Sequence, residues 1–127
     1  YLNIDGVDLS SKLLELVPPN YYKKLTQIDL NKSLKIKDNT YDAILCVGTF
    51  TYGHVKPNAL DEFIRISKNK ALICFTINEG IYEKYGFDKK IKNFEKNNAW
   101  KIKDFFKSNY IASKDVNAWL CLAEVTK

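Results

Sequence analysis

The chain has 127 residues, of which 46% are hydrophobic and 13% aromatic, and its formal charge is +5. This hydrophobic content is enough for a packed core and excludes a disordered chain. The length fits one domain, and no apolar run approaches the ~20 residues that a membrane-spanning helix needs. We therefore expect a single globular domain over residues 1–127, with no membrane partner.

The three cysteines, Cys46, Cys74 and Cys121, each lie inside an apolar run and show no Cys-x-x-Cys spacing. An odd number of cysteines in such positions is typical of free, buried thiols in a reducing compartment. The sequence therefore predicts a cytoplasmic or nuclear protein without disulfides, with the cytoplasm preferred, and no metal site is expected.

The chain opens with a predicted strand over Asn3–Ser10 that ends in an acidic residue, Asp8. A helix start signal follows at once, because Ser10 stands before an apolar-periodic segment that runs to Val17. Proline removes a backbone donor and clashes with the preceding turn, so the helix should stop at Pro18. In open α/β sheets, a carboxylate in this place accepts hydrogen bonds from a ribose.

The next predicted strand, Tyr21–Ile28, is interrupted by lysines, which favours a position near a sheet edge, and it ends at Asp29. Residues 31–40 are polar and predict a loop. Tyr41–Gly48 has an unbroken apolar centre. Continuous hydrophobicity is typical of a strand covered by helices on both faces, as in a parallel sheet.

The segment Thr49–Val55 is expected to be a loop rich in glycine and aromatic residues. A helix should follow Pro57 and Asn58, since its apolar residues fall on one face, and then a continuous apolar strand over Ala71–Ile77. The segment Asn78–Gly86 is expected to be a second loop. The apolar residues of the predicted helix are Leu60, Phe63 and Ile64.

The last predicted helix carries Phe87, Ile91 and Phe94 at i, i+4 and i+7. Two strands, Trp100–Phe106 and Ala118–Val125, should pair as an antiparallel hairpin. The predicted order is therefore β-α-β-β-α-β-α-β-β. Alternation of strands and helices predicts an α/β fold with a mostly parallel sheet and an antiparallel edge.

Several strings in this order resemble the class I S-adenosylmethionine-dependent methyltransferases. Among them, the chain looks most like the Williams–Beuren-region methyltransferase-like proteins. The resemblance covers almost the whole chain, and it implies a Rossmann-like fold, S-adenosylmethionine as cofactor, and methyl transfer to a small-molecule acceptor. The strings that carry it are Gly6–Ser10, Thr26–Leu30, Tyr41–Gly48, Thr49–Val55 and the helix Ala59–Ile66.

The resemblance implies that two acids at strand ends, Asp8 and Asp29, hold the adenosine part of the cofactor. Asp8 would accept from the ribose hydroxyls in a charge-assisted hydrogen bond, with Leu9 and Ser10 flanking the adenine. Asp29 would accept from the adenine amino group, with the Leu30 amide close to a ring nitrogen. From the residues alone, Asp8 has the alternative of being only an acid at a helix start, and Asp29 could equally be a turn acid.

The end of the central strand, Cys46, Val47 and Gly48, corresponds to the place of the cofactor's methionine portion. Because the sulfonium already carries a reactive methyl group, such a protein chiefly aligns the acceptor, and no catalytic residue is demanded. His54 and Tyr52 follow this strand and are the candidates for contact with the acceptor, although the residues alone favour a bystander or structural role for His54, and Tyr52 is comparable.

One expected piece of this family is absent from the sequence. A first strand that ends in a glycine-rich loop should precede Asn3, and the five glycines present do not replace it. We therefore expect an N-terminally incomplete methyltransferase-like domain that lacks the first strand. If the polypeptide begins at Tyr1, the gap should be closed by rearrangement or by a strand from a partner, which predicts an oligomer.

Other functions compete with this one. A cofactor-free methyltransferase-like interaction module is the main alternative, because the glycine-rich segment is missing. A nicotinamide-dependent dehydrogenase, which shares the acid that holds a ribose, is disfavoured by the antiparallel hairpin. A nucleic-acid methyltransferase is disfavoured because no Asn-Pro-Pro-Tyr-like string follows Leu45. A nucleic-acid groove would also need lysines and aromatic residues that converge on one face.

Overall fold

The structure is a computed structural model that describes residues 3–53, 55–111 and 116–127. The order of elements is the predicted one, with one additional short helix. None of the helices formed by the described residues is long and apolar enough to cross a membrane. The elements are β1 (Asp5–Asp8), α1 (Ser11–Glu15), β2 (Lys24–Gln27), β3 (Tyr41–Phe50), α2 (Ala59–Ile66), β4 (Ser67–Asn78), α3 (Glu79–Tyr82), α4 (Phe87–Lys96), β5 (Trp100–Ile111) and β6 (Val116–Val125).

The chain divides into two compact units, Tyr1–Leu34 and Lys35–Lys127. The described part of the smaller unit contains β1, α1 and β2, and the two strands form a parallel pair. Ser10 caps α1 as predicted, because its hydroxyl accepts a hydrogen bond from the amide of Leu13 at 3.2 Å. The expectation of a single domain stays a prediction.

The larger unit contains a four-stranded sheet in the order β3-β4-β6-β5. Strands β3 and β4 are parallel, whereas β6 runs antiparallel to both β4 and β5. The predicted C-terminal antiparallel hairpin is therefore confirmed. Because only β6 is reversed, the carboxyl ends of β3 and β4 and the start of β6 lie at the same edge of the sheet.

One face of the larger sheet packs on α2 and α4 through aromatic residues. Phe50 lies in van der Waals range of the rings of Phe63, Phe75 and Phe87, with centroid separations of 6.1, 5.8 and 4.9 Å. Trp100 continues this core, with its ring centroid 5.9 Å from that of Phe75. The apolar faces predicted for the two helices are confirmed, since the following six side chains are buried: Leu60, Phe63, Ile64, Phe87, Ile91 and Phe94.

Strand β3 departs from the sequence prediction in two ways. It continues through Phe50, which is 1% exposed and belongs to the core, so the loop predicted to begin at Thr49 begins later. It is also covered on one face only, because Leu45 and Val47 are 74% and 53% exposed. Among the described elements of the larger unit, β3 is also an edge strand, since β4 is its one neighbour in the sheet. The prediction of burial on both faces is wrong for Leu45 and Val47.

The segment predicted as a loop after β4 contains the short helix α3. Its start is fixed by Asn78, whose side-chain oxygen accepts a hydrogen bond from the amide of Gly80 at 2.8 Å. Ile81 anchors the helix because it is fully buried. The segment therefore holds a defined shape at the carboxyl edge of the sheet.

Candidate functional site

In the smaller unit, Asp8 and Asp29 follow two neighbouring parallel strands. Asp8 is the last residue of β1, and its carbonyl oxygen accepts from the amide of Ile28 at 2.9 Å, just beyond the end of β2. Asp29 comes directly after Ile28. Since parallel strands end at the same edge, the fold brings both carboxylates to the carboxyl edge of this pair.

Each of the two carboxylates also stabilises the turn that follows it. Oδ1 of Asp8 accepts from the amide of Ser10, and Oδ1 of Asp29 accepts from the amide of Asn31, both at 2.9 Å. These contacts correspond to the alternative roles named in the sequence analysis, an acid at a helix start for Asp8 and a turn acid for Asp29. Within the described part of the chain, Oδ2 of neither residue has a hydrogen-bond partner, so each carboxylate keeps one oxygen for a further donor.

The residues next to these acids are partly accessible. Leu9 is 63% exposed, and its carbonyl oxygen accepts a hydrogen bond from the side chain of Gln27 at 2.9 Å. Ser10 is engaged as the cap of α1, and Leu30 is half-buried. An exposed leucine beside an acid offers an apolar contact next to a hydrogen-bond acceptor. This combination suits a ligand in which a planar ring is attached to a sugar with hydroxyl groups.

In the larger unit, Cys46, Val47 and Gly48 lie at the end of β3. The pairing of β3 with β4 is interrupted between Cys46 and Phe50, so the backbone bulges there. Gly48 adopts a φ of 76°, in the left-handed region that favours glycine, and its amide donates a hydrogen bond to the hydroxyl of Thr76 at 3.0 Å. This bulge ends the regular strand at the edge of the sheet where ligands bind in folds of this class.

Cys46 is not suited to be a nucleophile. Its side chain is 7% exposed, and burial raises the pKa of its thiol against a smaller opposing effect of a hydrogen bond with Thr49. The thiolate is therefore disfavoured at neutral pH. All three cysteines are free: Cys46 and Cys121 are buried and Cys74 is half-buried.

Tyr52 lies in the loop that follows β3. Its side chain is 54% exposed, and its hydroxyl lies against Gly80 of α3, so close that a Cβ atom at position 80 would be 1.9 Å from the phenol oxygen. The Tyr52 ring also meets the ring of Tyr85 edge-on, with centroids 6.5 Å apart. His54, the other acceptor-side candidate, lies outside the described residues.

Sequence reasoning missed three residues that shape this edge of the larger unit. Thr76 holds the amide of Gly48, Tyr85 accepts a hydrogen bond from the amide of Gly53 at 3.1 Å, and Gly80 makes room for Tyr52. Each contact joins positions about 28 or more residues apart. No local pattern signals such contacts, because they depend on the pairing of β3 with β4.

Asp42 lies at the surface of the larger unit. Its side chain is 85% exposed and forms an ion pair with Lys68 at 3.1 Å. An exposed pair of this kind contributes little to stability, and the residue stands at the amino end of β3, away from the edge that carries Gly48.

Comparison with known proteins agrees with this arrangement. Residues 1–75 match the family described as "Methyltransferase domain". The human Methyltransferase-like protein 27 is 35% identical over 78 residues, which are 60% of this chain and 31% of that protein. The chain thus matches less than a third of the length of this relative.

Solved structures share the fold at low sequence identity. An S-adenosylmethionine-dependent methyltransferase from Mesorhizobium loti superimposes with a TM-score of 0.70 at 12% identity, over 97% of this chain and 80% of that one. The N-methyltransferase NodS from Bradyrhizobium japonicum, in complex with S-adenosyl-L-homocysteine, gives a TM-score of 0.60 at 9% identity, over 98% and 79%. The expected α/β, Rossmann-like class I methyltransferase fold is confirmed. With a family match over more than half of its residues and this fold, the chain belongs to the methyltransferase domain family.

Proposed function

We propose that the protein is an S-adenosylmethionine-dependent methyltransferase that methylates a small-molecule acceptor. The observation that supports this most directly is the pair of carboxylates, Asp8 and Asp29, at the carboxyl edge of two parallel strands. Each has one oxygen to which no described residue donates. Family membership supports the same reaction, and NodS, which has the same fold, binds S-adenosyl-L-homocysteine.

The residues present fit the adenosine part of this cofactor. In this proposal Asp8 accepts from the two ribose hydroxyls while its other oxygen stays on the amide of Ser10. Asp29 accepts from the adenine amino group, the Leu30 amide lies near a ring nitrogen, and Leu9 supplies apolar contact to the ring. Carboxylates are strong acceptors and have no donor of their own at neutral pH, as these contacts require.

The proposal assigns three residues of the larger unit to the methionine portion of the cofactor. Cys46, Val47 and Gly48 stand shortly before the end of β3 at Phe50, and the φ of 76° at Gly48 lies in the region that favours glycine. When bound, the cofactor supplies an electrophilic methyl group on a sulfonium. The chain then has to hold the acceptor in line with that methyl group, and Tyr52 is the described residue that we assign to this task.

The experiment that tests this function is a calorimetric titration of the protein with S-adenosyl-L-homocysteine. We expect the wild type to bind, and Asp8→Asn to weaken binding at least about tenfold because a charged acceptor is lost. The matched control is Asp42→Asn, which removes one carboxylate from the surface and should leave the affinity unchanged.

Two outcomes would count against the proposal in different ways. Equal affinities of the wild type and Asp8→Asn would remove Asp8 from the site. A folded protein that binds no S-adenosyl-L-homocysteine would favour the alternative, a cofactor-free interaction module. Cytoplasmic location and an oligomer completed by a partner strand stay predictions, to be checked by fractionation and by analytical ultracentrifugation.

A further inference from the structure

Strand β3 is interrupted near its carboxyl end by a bulge formed by residues 47–49, which we call the β3 bulge. Cys46 before it and Phe50 after it are paired with β4, and their two partners in β4 are separated by Thr76 alone. Three residues of β3 therefore stand opposite one residue of β4. The backbone of β3 has to leave the regular ladder at this point.

Both ends of the β3 bulge are fixed in the core, whereas its middle is accessible. Cys46 is 7% exposed and Phe50 is 1% exposed. Val47 and Gly48, in contrast, are exposed. A ligand at the carboxyl edge of the sheet can therefore reach the middle of the bulge, and the shape that it meets depends on what holds the backbone between the two anchored ends.

Thr76 holds the middle of the β3 bulge from the neighbouring strand. Its hydroxyl accepts a hydrogen bond from the amide of Gly48 at 3.0 Å, and Thr76 itself is only 8% exposed. Gly48 has a φ of 76°, a backbone conformation that other residues rarely adopt. A second contact lies within β3, a hydrogen bond between the side chains of Thr49 and Cys46. Because Thr76 is buried, it acts on a ligand at this edge through the backbone that it holds.

We propose that Thr76 is a positioning residue for the methionine portion of the cofactor, because its hydroxyl fixes the Gly48 backbone. The inference rests on the proposed methyltransferase function, which assigns Gly48 to that portion, and it adds a residue to which no part of the cofactor is assigned. The adenosine portion is assigned to Asp8 and Asp29 instead. Loss of the Thr76 hydroxyl should therefore affect one portion of the cofactor and leave the other unaffected.

The expected size of the effect follows from the energy of a single hydrogen bond. Without the Thr76 hydroxyl, the amide of Gly48 is unsatisfied in the native arrangement, and other arrangements of the exposed bulge gain population. A ligand that binds only the native arrangement then loses affinity in proportion to the fraction of molecules that keep it. We expect the affinity to fall by about five- to tenfold.

The test compares two ligands, S-adenosyl-L-homocysteine and methylthioadenosine. Both contain adenosine and a thioether sulfur, but only the first carries the amino-acid end of the methionine portion. Calorimetric titration gives the Kd of each ligand. We expect Thr76→Val to weaken binding of S-adenosyl-L-homocysteine about five- to tenfold and to leave that of methylthioadenosine within about twofold. Thr76→Ser keeps the hydroxyl and should restore the affinity. A merely structural role of Thr76 would change both affinities or neither.

Two further variants serve as controls. Thr126 follows the end of β6, at the opposite edge of the sheet, and its hydroxyl donates to the carbonyl oxygen of Asn98 at 2.8 Å. Thr126→Val therefore makes the same chemical change and also removes a hydrogen bond between a side chain and a distant backbone group, but it should leave both affinities unchanged. Asp8→Asn should weaken both ligands, because both carry the ribose.

A measurement on the wild type keeps the inference testable if Thr76→Val does not fold. In NMR spectra, the amide signal of Gly48 should shift on addition of S-adenosyl-L-homocysteine and shift less on addition of methylthioadenosine. The amide signal of Thr126 should stay in place with both ligands. A Gly48 signal that does not move at saturation with S-adenosyl-L-homocysteine would overturn the inference.

The outcomes separate this inference from the proposed function. If the wild type binds S-adenosyl-L-homocysteine and Thr76→Val binds it equally well, the inference is wrong and the function stands. The same conclusion holds if Thr76→Val loses affinity for both ligands to the same extent. If the wild type does not bind S-adenosyl-L-homocysteine, the proposed function fails and the inference fails with it.

Discussion

The amide of Gly48 donates a hydrogen bond to the hydroxyl of Thr76 at 3.0 Å, between two parallel neighbouring strands. Regular pairing is interrupted at this point, so the backbone amide of Gly48 would otherwise lack a partner in a part-buried position. Thr76 is 8% exposed, and its hydroxyl therefore replaces the missing backbone acceptor. The left-handed backbone of Gly48, at the end of β3, is held by a side chain of β4.

Thr76→Val should destabilise the protein by about 1–3 kcal/mol, because it leaves the Gly48 amide unsatisfied while conserving the shape of the side chain. The measurement is the free energy of unfolding from urea titration. Thr76→Ser keeps the hydroxyl and should recover most of the loss. Equal stability of Thr76→Val and the wild type would show that water satisfies the amide instead.

Gly80→Ala should move a ring rather than unfold the protein. A Cβ atom at position 80 would meet the phenol oxygen of Tyr52 at 1.9 Å, and that oxygen is the far end of an exposed side chain that can turn away. Alanine also favours the helical backbone of α3 by up to about 1 kcal/mol. We expect a stability change of at most about 1 kcal/mol and a clear shift of the Tyr52 ring signals in NMR spectra.

Gly53→Ala provides the contrasting case in the same loop. No atom lies within 4 Å of a Cβ atom at position 53, but its φ is 72°. Alanine there should lower the free energy of unfolding by about 1–2 kcal/mol through backbone strain.

For Gly80→Ala, the contrary result is a set of unchanged Tyr52 ring signals. It would refute the close contact between the Tyr52 hydroxyl and position 80.

Phe50→Ala should lower the free energy of unfolding by about 3–5 kcal/mol. Phe50 is 1% exposed and meets aromatic rings from α2, β4 and α4, so its removal leaves a cavity at the point where three elements join. Phe106→Ala is the control: its ring is 42% exposed, and the loss should be much smaller. Similar losses at the two positions would contradict the assignment of Phe50 to the core.

Stability should fall at alkaline pH because of Cys121. Burial, with smaller contributions from Cys74 and Glu95, raises the pKa of Cys121 to about 12, above the value of about 9 of an exposed thiol. The folded state thus holds this proton more tightly than the unfolded state. Its contribution is complete below pH 9 and is lost as the pH rises from about 9 towards 12.

The check is a comparison of urea midpoints at pH 8 and pH 10 for the wild type and Cys121→Ala. Lysines and tyrosines also titrate in this range, so the informative quantity is the difference between the two proteins. We expect the wild type to lose more stability than Cys121→Ala does. Identical pH dependence would show that the thiol titrates normally in the folded protein.

Local signals in the sequence predicted most of the elements correctly. The hydroxyl of Ser10 predicted the start of α1, and the spacing of Phe87, Ile91 and Phe94 predicted the buried face of α4. These signals work because a cap and a helical face depend on residues within a few positions of each other. The positions of Asp8 and Asp29 at strand ends followed from the same kind of local evidence.

The incorrect predictions concern features that depend on contacts between residues far apart in the sequence. The apolar run of β3 predicted a strand covered on both faces, yet Leu45 is 74% exposed, because the hydrophobicity of a run does not say which faces of the strand other elements cover. The segment after β4 was predicted as a loop, although Asn78 and the buried Ile81 fix the helix α3 there. A four-residue helix is too short to leave a periodic pattern.

The sequence by itself determined the order of elements, the acids at the ends of β1 and β2, and the family. Each of these depends on patterns within short stretches of the chain. Only the tertiary structure decided that Thr76 holds the amide of Gly48 and that Gly80 accommodates Tyr52. These contacts join positions far apart in the chain. Their geometry is set by the pairing of the strands, which brings these distant residues next to each other.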